Sequence, residues 1–198
     1  MNYGGCYILG LLFETGMTGC KPLGVPMAQN LKLLAYNEKK NRAKDLLKEA
    51  RKYRRLVGKL IYLTITQPDI SYSVQTLSQF MQMPTKAHMA TARNVLRYLK
   101  AIPGLGVFKN SKGKPKLGCY CDSDWASYPM TRRSVSGYLL KLGGSLVMWK
   151  TKKQHTVSKS SAEAEYKALS MAISEVVWAV SLLKDVGIDH KNPVKVYL

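Results

Sequence analysis

The stretch Leu117-Gly-Cys-Tyr-Cys-Asp122, followed after two more β-prone runs by Ser160-Ser-Ala-Glu-Ala-Glu-Tyr166, decides the fold. The first reads as a strand with acidic residues at its end, the second as the opening of a long helix. Between them Val135 to Leu142 and Leu146 to Trp149 are β-prone, with turns supplied by Gly113 to Pro115 and by Gly143-Gly144. Leu105 to Phe108 is a further expected strand. The helix is expected to run to about Val186, where Gly187 caps it, and Val194 to Leu198 begins another strand. Antiparallel strands, a helix, then a last strand form an α+β order. A helix between two strands suggests that the last lies parallel to an earlier one.

The residues before this stretch read as helical. A short helix over residues 7–16 leads into a loop punctuated by Gly19, Pro22, Gly24 and Pro26. From Arg42 to about Thr66 the apolar positions Leu46, Leu47, Ala50, Tyr53, Leu56, Val57, Leu60 and Ile61 recur at helical spacing. The polar side of that helix is basic, with Lys44, Lys48, Arg51, Lys52, Arg54, Arg55 and Lys59. Pro68-Asp69 opens a second helix expected to reach Met83, and residues 86–101 form a third, ended by Pro103-Gly104. Two domains follow, 1–101 mostly helical and 102–198 a mixed sheet with one long helix.

Thirty-one Lys and Arg against 12 Asp and Glu leave the 198-residue chain at +19, which favours a polyanionic partner. Nucleic acid is preferred to a membrane, because the apolar runs read as broken by Gly10 and Lys59. The opening Met1-Asn-Tyr-Gly-Gly-Cys6 lacks the features of a secretory signal, so an intracellular location is expected. Four cysteines are too few for a disulfide scaffold. Cys119 and Cys121 share one face of a strand and read as core residues.

Chemistry concentrates in two acidic pairs, Asp122 with Asp124 at the strand end and Glu163 with Glu165 in the first turns of the long helix. Hard carboxylate ligands suit Mg²⁺ or Mn²⁺, and phosphodiester hydrolysis uses two such ions about 3.5 to 4 Å apart. The apolar stripe Ala162, Tyr166, Leu169, Ile173, Val176, Val180 and Leu183 is expected to face the sheet. At one residue per ~100°, Glu165 lies roughly 50° from the centre of that stripe and Glu163 roughly 110°, so Glu165 should look toward Asp122. The opposing reading is equally open on residues alone: the aspartates mark a strand exit and the glutamates favour a helix N-terminus. Trp149 and Trp178 are expected in the core, with base stacking the alternative. His155 is expected to be structural or solvated.

The ordered motifs Gly118-Cys-Tyr-Cys-Asp-Ser-Asp-Trp-Ala126, Arg132-Arg-Ser-Val-Ser-Gly-Tyr138, Leu142-Gly-Gly-Ser145, Trp149-Lys-Thr-Lys-Lys-Gln154 and Ser160-Ser-Ala-Glu-Ala-Glu-Tyr166 resemble the ribonuclease H of copia-type retrotransposons. Tyr53-Arg-Arg-Leu-Val-Gly-Lys-Leu-Ile-Tyr-Leu63, Pro68-Asp-Ile-Ser-Tyr72 and Leu96-Arg-Tyr-Leu-Lys100 resemble the end of the same polyprotein's reverse transcriptase. The family usually has Arg at Gln67 and an aromatic at Met89.

The resemblance implies a helical, thumb- or connection-like reverse-transcriptase tail followed by a ribonuclease H-like sheet truncated at its fourth strand. It also implies cleavage of the RNA strand of RNA–DNA hybrids by four carboxylates with Mg²⁺ or Mn²⁺. Asp122 matches the first and Glu165 the second, with Asp124 and Glu163 weaker candidates. The third is expected just after Val196-Tyr-Leu198, in an Asp-Asn pair, and the polymerase aspartates before Met1. The chain alone is therefore expected to be inactive, completed by another part of the polyprotein, and weakly sequence-specific toward nucleic acid through Lys44, Lys48, Arg51, Lys52, Arg55, Arg132, Arg133, Lys152 and Lys153. The rival reading is a non-enzymatic basic nucleic-acid-binding module.

Overall fold

Helical spacing of apolar residues produces four α-helices among the described residues of the first unit: α1 (Tyr3–Glu14), α2 (Ala50–Leu63), α3 (Ser71–Ser78) and α4 (Lys86–Ala101). The computed structural model describes residues 3–29, 31–37, 45–110, 115–188 and 192–198. They fall into two compact units, Met1–Gly106 and Val107–Leu198. Residues 102–106 join the helical unit, where the side-chain amide of Gln67 donates to the Leu105 carbonyl.

In α2, Tyr53, Leu56, Val57, Leu60 and Leu63 are buried at the three- and four-residue spacing that makes one face apolar. The helix begins at Ala50, later than expected. Leu46 forms an antiparallel bridge with Thr85, and the Leu47 N–H donates to the Pro84 carbonyl at 3.0 Å, which takes these residues out of helical pairing. The expected helix to Met83 divides into a 3₁₀ turn at Pro68–Ile70 and α3, which stops at Ser78. Beyond it Phe80 stacks on the His88 ring, with centroids 4.0 Å apart. Helix α1 starts at Tyr3 rather than residue 7.

Thr85 caps α4: its backbone N–H donates to Nδ1 of His88 at 2.9 Å, and its hydroxyl accepts from the His88 N–H at 3.4 Å. Nε2 of His88 lies 3.0 Å from the Leu34 carbonyl, so the neutral ring carries its proton on Nε2. Burial pushes this imidazole below its ordinary value of 6.5, and the Leu34 carbonyl opposes the shift. As pH falls through the ordinary histidine value the unfolded chain protonates first, so the contribution of neutral His88 is complete above it and declines below it. The melting temperature should therefore drop on acidification from pH ~6.5 to ~5, and by less in His88→Gln. Equal slopes in both proteins would refute this.

The second unit is a four-stranded sheet of order β3-β2-β1-β4, with β1 at Leu117–Asp124, β2 at Val135–Leu142, β3 at Ser145–Lys153 and β4 at Lys195–Tyr197. Strands β1, β2 and β3 form an antiparallel meander, and β4 joins β1 in parallel after the long helix α5 (Ser161–Asp185), as the element order suggested. Gly143 and Gly144 turn β2 into β3 with φ of 58° and 83°, the positive pair a two-residue hairpin needs. Leu105 to Phe108 forms no strand, and Phe108 is 82% exposed.

Helix α5 packs on β1 and β2 through a different face from the one its largest apolar residues suggested. Ala164, Ala168, Ala172, Val176 and Ala179 are buried, whereas Tyr166 and Ile173 are exposed. Methyl side chains let helix and sheet approach closely, and a stripe chosen for bulk misses that. The helix is also long and apolar enough, by length and composition, to cross a membrane, an apolar run that the breaks at Gly10 and Lys59 do not interrupt. Trp178 is exposed at 53%, against the expectation of core packing, and Trp149 is half-buried.

Candidate metal centre and nucleic-acid interface

Strand alternation assigns the residues at the acidic end of β1. Leu117, Cys119 and Cys121 are buried in the cluster that includes Ala172, Val176 and Ala179 of α5, and Tyr120, Asp122 and Asp124 alternate with them and are exposed. Burial raises the Cys119 thiol to about 11 and also raises Cys121, so both stay protonated, as core cysteines should. Asp122 sits opposite Gly137 of β2, and its Oδ1 accepts from the Ser123 N–H at 2.7 Å. It lines a cleft of about 240 Å³ with Tyr120, Leu139, Trp149 and Thr151.

At the start of α5 the two glutamates diverge. Glu163 accepts from the Lys159 N–H at 2.7 Å and pairs with Lys167 at 2.8 Å. Those hydrogen bonds, Lys167's first, hold its carboxyl below the usual range. Glu165 is half-buried beside Ala164, with no hydrogen-bond or ion-pair partner among the described residues. Measured from the alanine face, Glu165 lies roughly 40° from the centre and Glu163 roughly 160°, a wider separation than the bulky stripe gave.

Sequence reasoning assigned no role to the residue that joins the two segments carrying the acidic pairs. Gln154, at the end of the basic run on β3, is buried, and its Nε2 lies 2.8 Å from Ser136 Oγ, 2.9 Å from the Ala164 carbonyl and 3.3 Å from Ser123 Oγ. Its Oε1 accepts from Ser158 Oγ at 2.8 Å. Lys167 reaches Thr156 Oγ1 and Ser158 Oγ at 2.9 and 3.1 Å, and the Trp125 indole N–H donates to the Ser158 carbonyl at 3.1 Å. The sequence signals were a neutral amide directly after two lysines and its place at the end of the motif Trp149-Lys-Thr-Lys-Lys-Gln154. His155, next in the chain, is exposed.

The donor set is right in kind for Mg²⁺ or Mn²⁺, being hard oxygen, and short in number. Among the described residues no three His, Cys, Asp or Glu side chains gather into a cluster that could hold a metal.

The candidate nucleic-acid contacts fall in both units. In the first, Lys44 lies outside the described residues and Lys48 precedes α2, while Arg51, Lys52 and Arg55 are exposed on it. Lys52 pairs with Glu49, and Arg55 lies 3.7 Å from Glu14, which also pairs with Lys59. Lys52, Arg55, Lys59 and Arg93 line a cavity of about 410 Å³ floored by Leu11, Leu56 and Leu96. Arg54 is committed to the carbonyls of Met81 and Gln82, at 2.8 and 3.2 Å. In the second unit Arg132 and Lys152 are exposed, Arg133 is half-buried, and Lys153 sits 4.1 Å over the Tyr128 ring. Burial, then the charge of Arg133, lowers the Lys153 ammonium.

No family model matches the chain, and no solved structure matches it. It is 41% identical over 191 residues to the retrovirus-related Pol polyprotein from transposon RE1 of Arabidopsis thaliana, and 40% identical over 191 residues to that from transposon RE2. Each alignment covers 96% of this chain and 13% of the relative, so the chain spans about an eighth of their length. Secreted RxLR effector protein 161 of Plasmopara viticola is 46% identical over 127 residues, 64% of this chain and 89% of that one. Identity and coverage of nearly the whole chain agree: the chain belongs to the retrovirus-related Pol polyproteins of copia-type transposons and represents a segment of them.

Proposed function

We propose that the second unit is the metal-binding half of a ribonuclease H, acting on the RNA strand of RNA–DNA hybrids, and that the first is a reverse-transcriptase tail that helps hold the nucleic acid. The observation that supports this reading is that one buried amide bonds both the Ser123 hydroxyl, between Asp122 and Asp124 on β1, and the Ala164 carbonyl, between Glu163 and Glu165 on α5. Asp122 and Glu165 would hold Mg²⁺ or Mn²⁺, with Asp124 second in line and Glu163 occupied by its lysines. The bound ions would supply an activated water and stabilise the leaving oxygen. The basic residues of both units would contact backbone phosphates, giving affinity with little sequence preference. Such a role is intracellular.

The second reading is a non-enzymatic basic module that binds nucleic acid. The +19 charge and the absence of a three-ligand cluster among the described residues favour it, and the short Plasmopara viticola relative shows that much of this segment also occurs in a chain far smaller than a Pol polyprotein.

The test is cleavage of an RNA–DNA hybrid with Mg²⁺ or Mn²⁺. The 198-residue chain should cleave hardly at all, because two carboxylates cannot fix two ions for in-line displacement. Extended by the Pol segment that follows in the RE1 relative, it should cleave the RNA strand. Asp122→Asn and Glu165→Gln should each lower that rate by more than the roughly hundredfold that loss of an outer-shell partner can cost, while Glu163→Gln should not. An extended chain with no cleavage would leave the binding module as the function. Efficient cleavage by the 198 residues alone would refute the requirement for further ligands.

A further inference from the structure

We infer that Gln154 is a positioning residue: its buried amide sets the acidic end of β1 against the acidic start of α5, so that Asp122 and Glu165 can share a metal ion. This rests on the ribonuclease H reading for the identity of the ligand, and on geometry alone for the positioning.

An amide nitrogen has two hydrogens, and Nε2 of Gln154 faces three acceptors on three elements: Ser136 of β2, Ser123 of β1 and the Ala164 carbonyl of α5. The oxygen is filled by Ser158, in the segment leading into α5. The backbone is fixed as well, its N–H donating to the Ser134 carbonyl at 2.9 Å. The bonds to Ser136, Ser158 and the Ala164 carbonyl are buried and that to Ser123 is part-buried, so losing the amide removes several shielded hydrogen bonds at once, and the strand end and helix start lose their common partner. The Ala164 carbonyl belongs to the first turn of α5. Its tie to Gln154 therefore fixes the rotation and height of the turn that carries Glu165.

No side chain but Gln fits these demands at this position. Glutamate would set a carboxylate against the Ala164 carbonyl, two acceptors facing each other. Alanine would leave a void and remove the buried hydrogen bonds that Ser136, Ser158 and the Ala164 carbonyl make with the amide. Asparagine is one methylene short of spanning β2 to α5.

The experiment is a Mn²⁺ titration of the isotopically labelled 198-residue chain, following paramagnetic broadening of amide signals at Asp122 and Ser123 and at Glu165 and Tyr166. In the wild type both patches should broaden along one binding curve. In Gln154→Ala, with the β1 and β2 amide shifts retained, the two curves should separate and the apparent Mn²⁺ affinity should fall by about tenfold or more. Gln154→Glu preserves volume and should behave likewise, serving if the alanine variant fails to fold. Amide hydrogen exchange gives a readout independent of metal: the first turn of α5 should exchange about tenfold faster or more in either variant while the β1–β2 ladder keeps its protection. A common curve and unchanged first-turn exchange in a folded variant would overturn the assignment. A wild type showing no broadening at either patch would sink the metal reading alone, and exchange would then decide whether Gln154 positions the helix.

Discussion

Affinity for a nucleic-acid duplex should fall by roughly a thousandfold or more as monovalent salt rises from about 50 to about 200 mM. The chain carries +19 with only 12 acids, and the exposed Lys48, Arg51, Arg132 and Lys152, with Lys52 and Arg55 once they exchange the surface carboxylates of Glu49 and Glu14 for phosphate, are enough to neutralise about six phosphates. Each phosphate contact releases a counterion, which makes log affinity linear in log salt. Arg51→Ala should weaken binding to all sequences alike and reduce the slope by about one. Arg54→Ala should leave the slope unchanged, since its guanidinium is spent on two backbone carbonyls. Anisotropy titrations against a duplex and its scrambled counterpart across an ionic-strength series read all three outcomes. A flat salt response, or strong preference for one sequence, would remove the electrostatic mode of binding.

Tyr53→Ala should destabilise the helical unit by about 3–5 kcal/mol, a large share of the roughly 5–15 kcal/mol that holds a domain folded. The ring is fully buried on the apolar face of α2, and its hydroxyl donates to the Leu77 carbonyl at 2.8 Å. Burial also raises the phenol well above its ordinary range, which keeps the hydroxyl a donor at any ordinary pH. Removing the ring leaves a cavity and a carbonyl without its partner. Tyr53→Phe keeps the packing and should cost only about 1–3 kcal/mol, isolating the hydrogen bond. Urea denaturation followed by far-UV ellipticity measures both variants. Trp125, Trp149 and Trp178 all lie in the second unit, so indole fluorescence follows that unit separately. A Tyr53→Ala loss no larger than that of Tyr53→Phe would show that the ring is not a core anchor.

Periodicity made most of the elements legible. Residues 86–101 and Val135 to Leu142 have the expected bounds because a closing Pro-Gly and a Gly-Gly turn mark their ends in the chain itself. The start of α2 was not legible, because the bridge from Leu46 to Thr85 is a tertiary contact with no local signature. The buried face of α5 was misjudged for a related reason: proximity to the sheet selects small residues there, and a hydrophobicity pattern weights large ones. Of the candidate site, the four carboxylates stood out by composition. Gln154 did not, since its importance lies in joining residues that are distant in sequence.

The parallel pairing of β4 with β1 has a consequence for synthesis on the ribosome. Gly118, Cys119 and Tyr120 pair with Lys195, Val196 and Tyr197, so all of β2, β3 and α5 is made between the two partners. At about 5–20 residues per second, β1 waits on the order of 4–15 s for its neighbour to appear. The antiparallel meander forms from local contacts within that interval, and the open side of β1 is then free to pair with another nascent chain. A polysome, which holds many copies at staggered stages of elongation, is where such mispairing would be most frequent. A holdase that shields backbone N–H and C=O groups would raise the yield of folded protein chiefly by acting during those seconds.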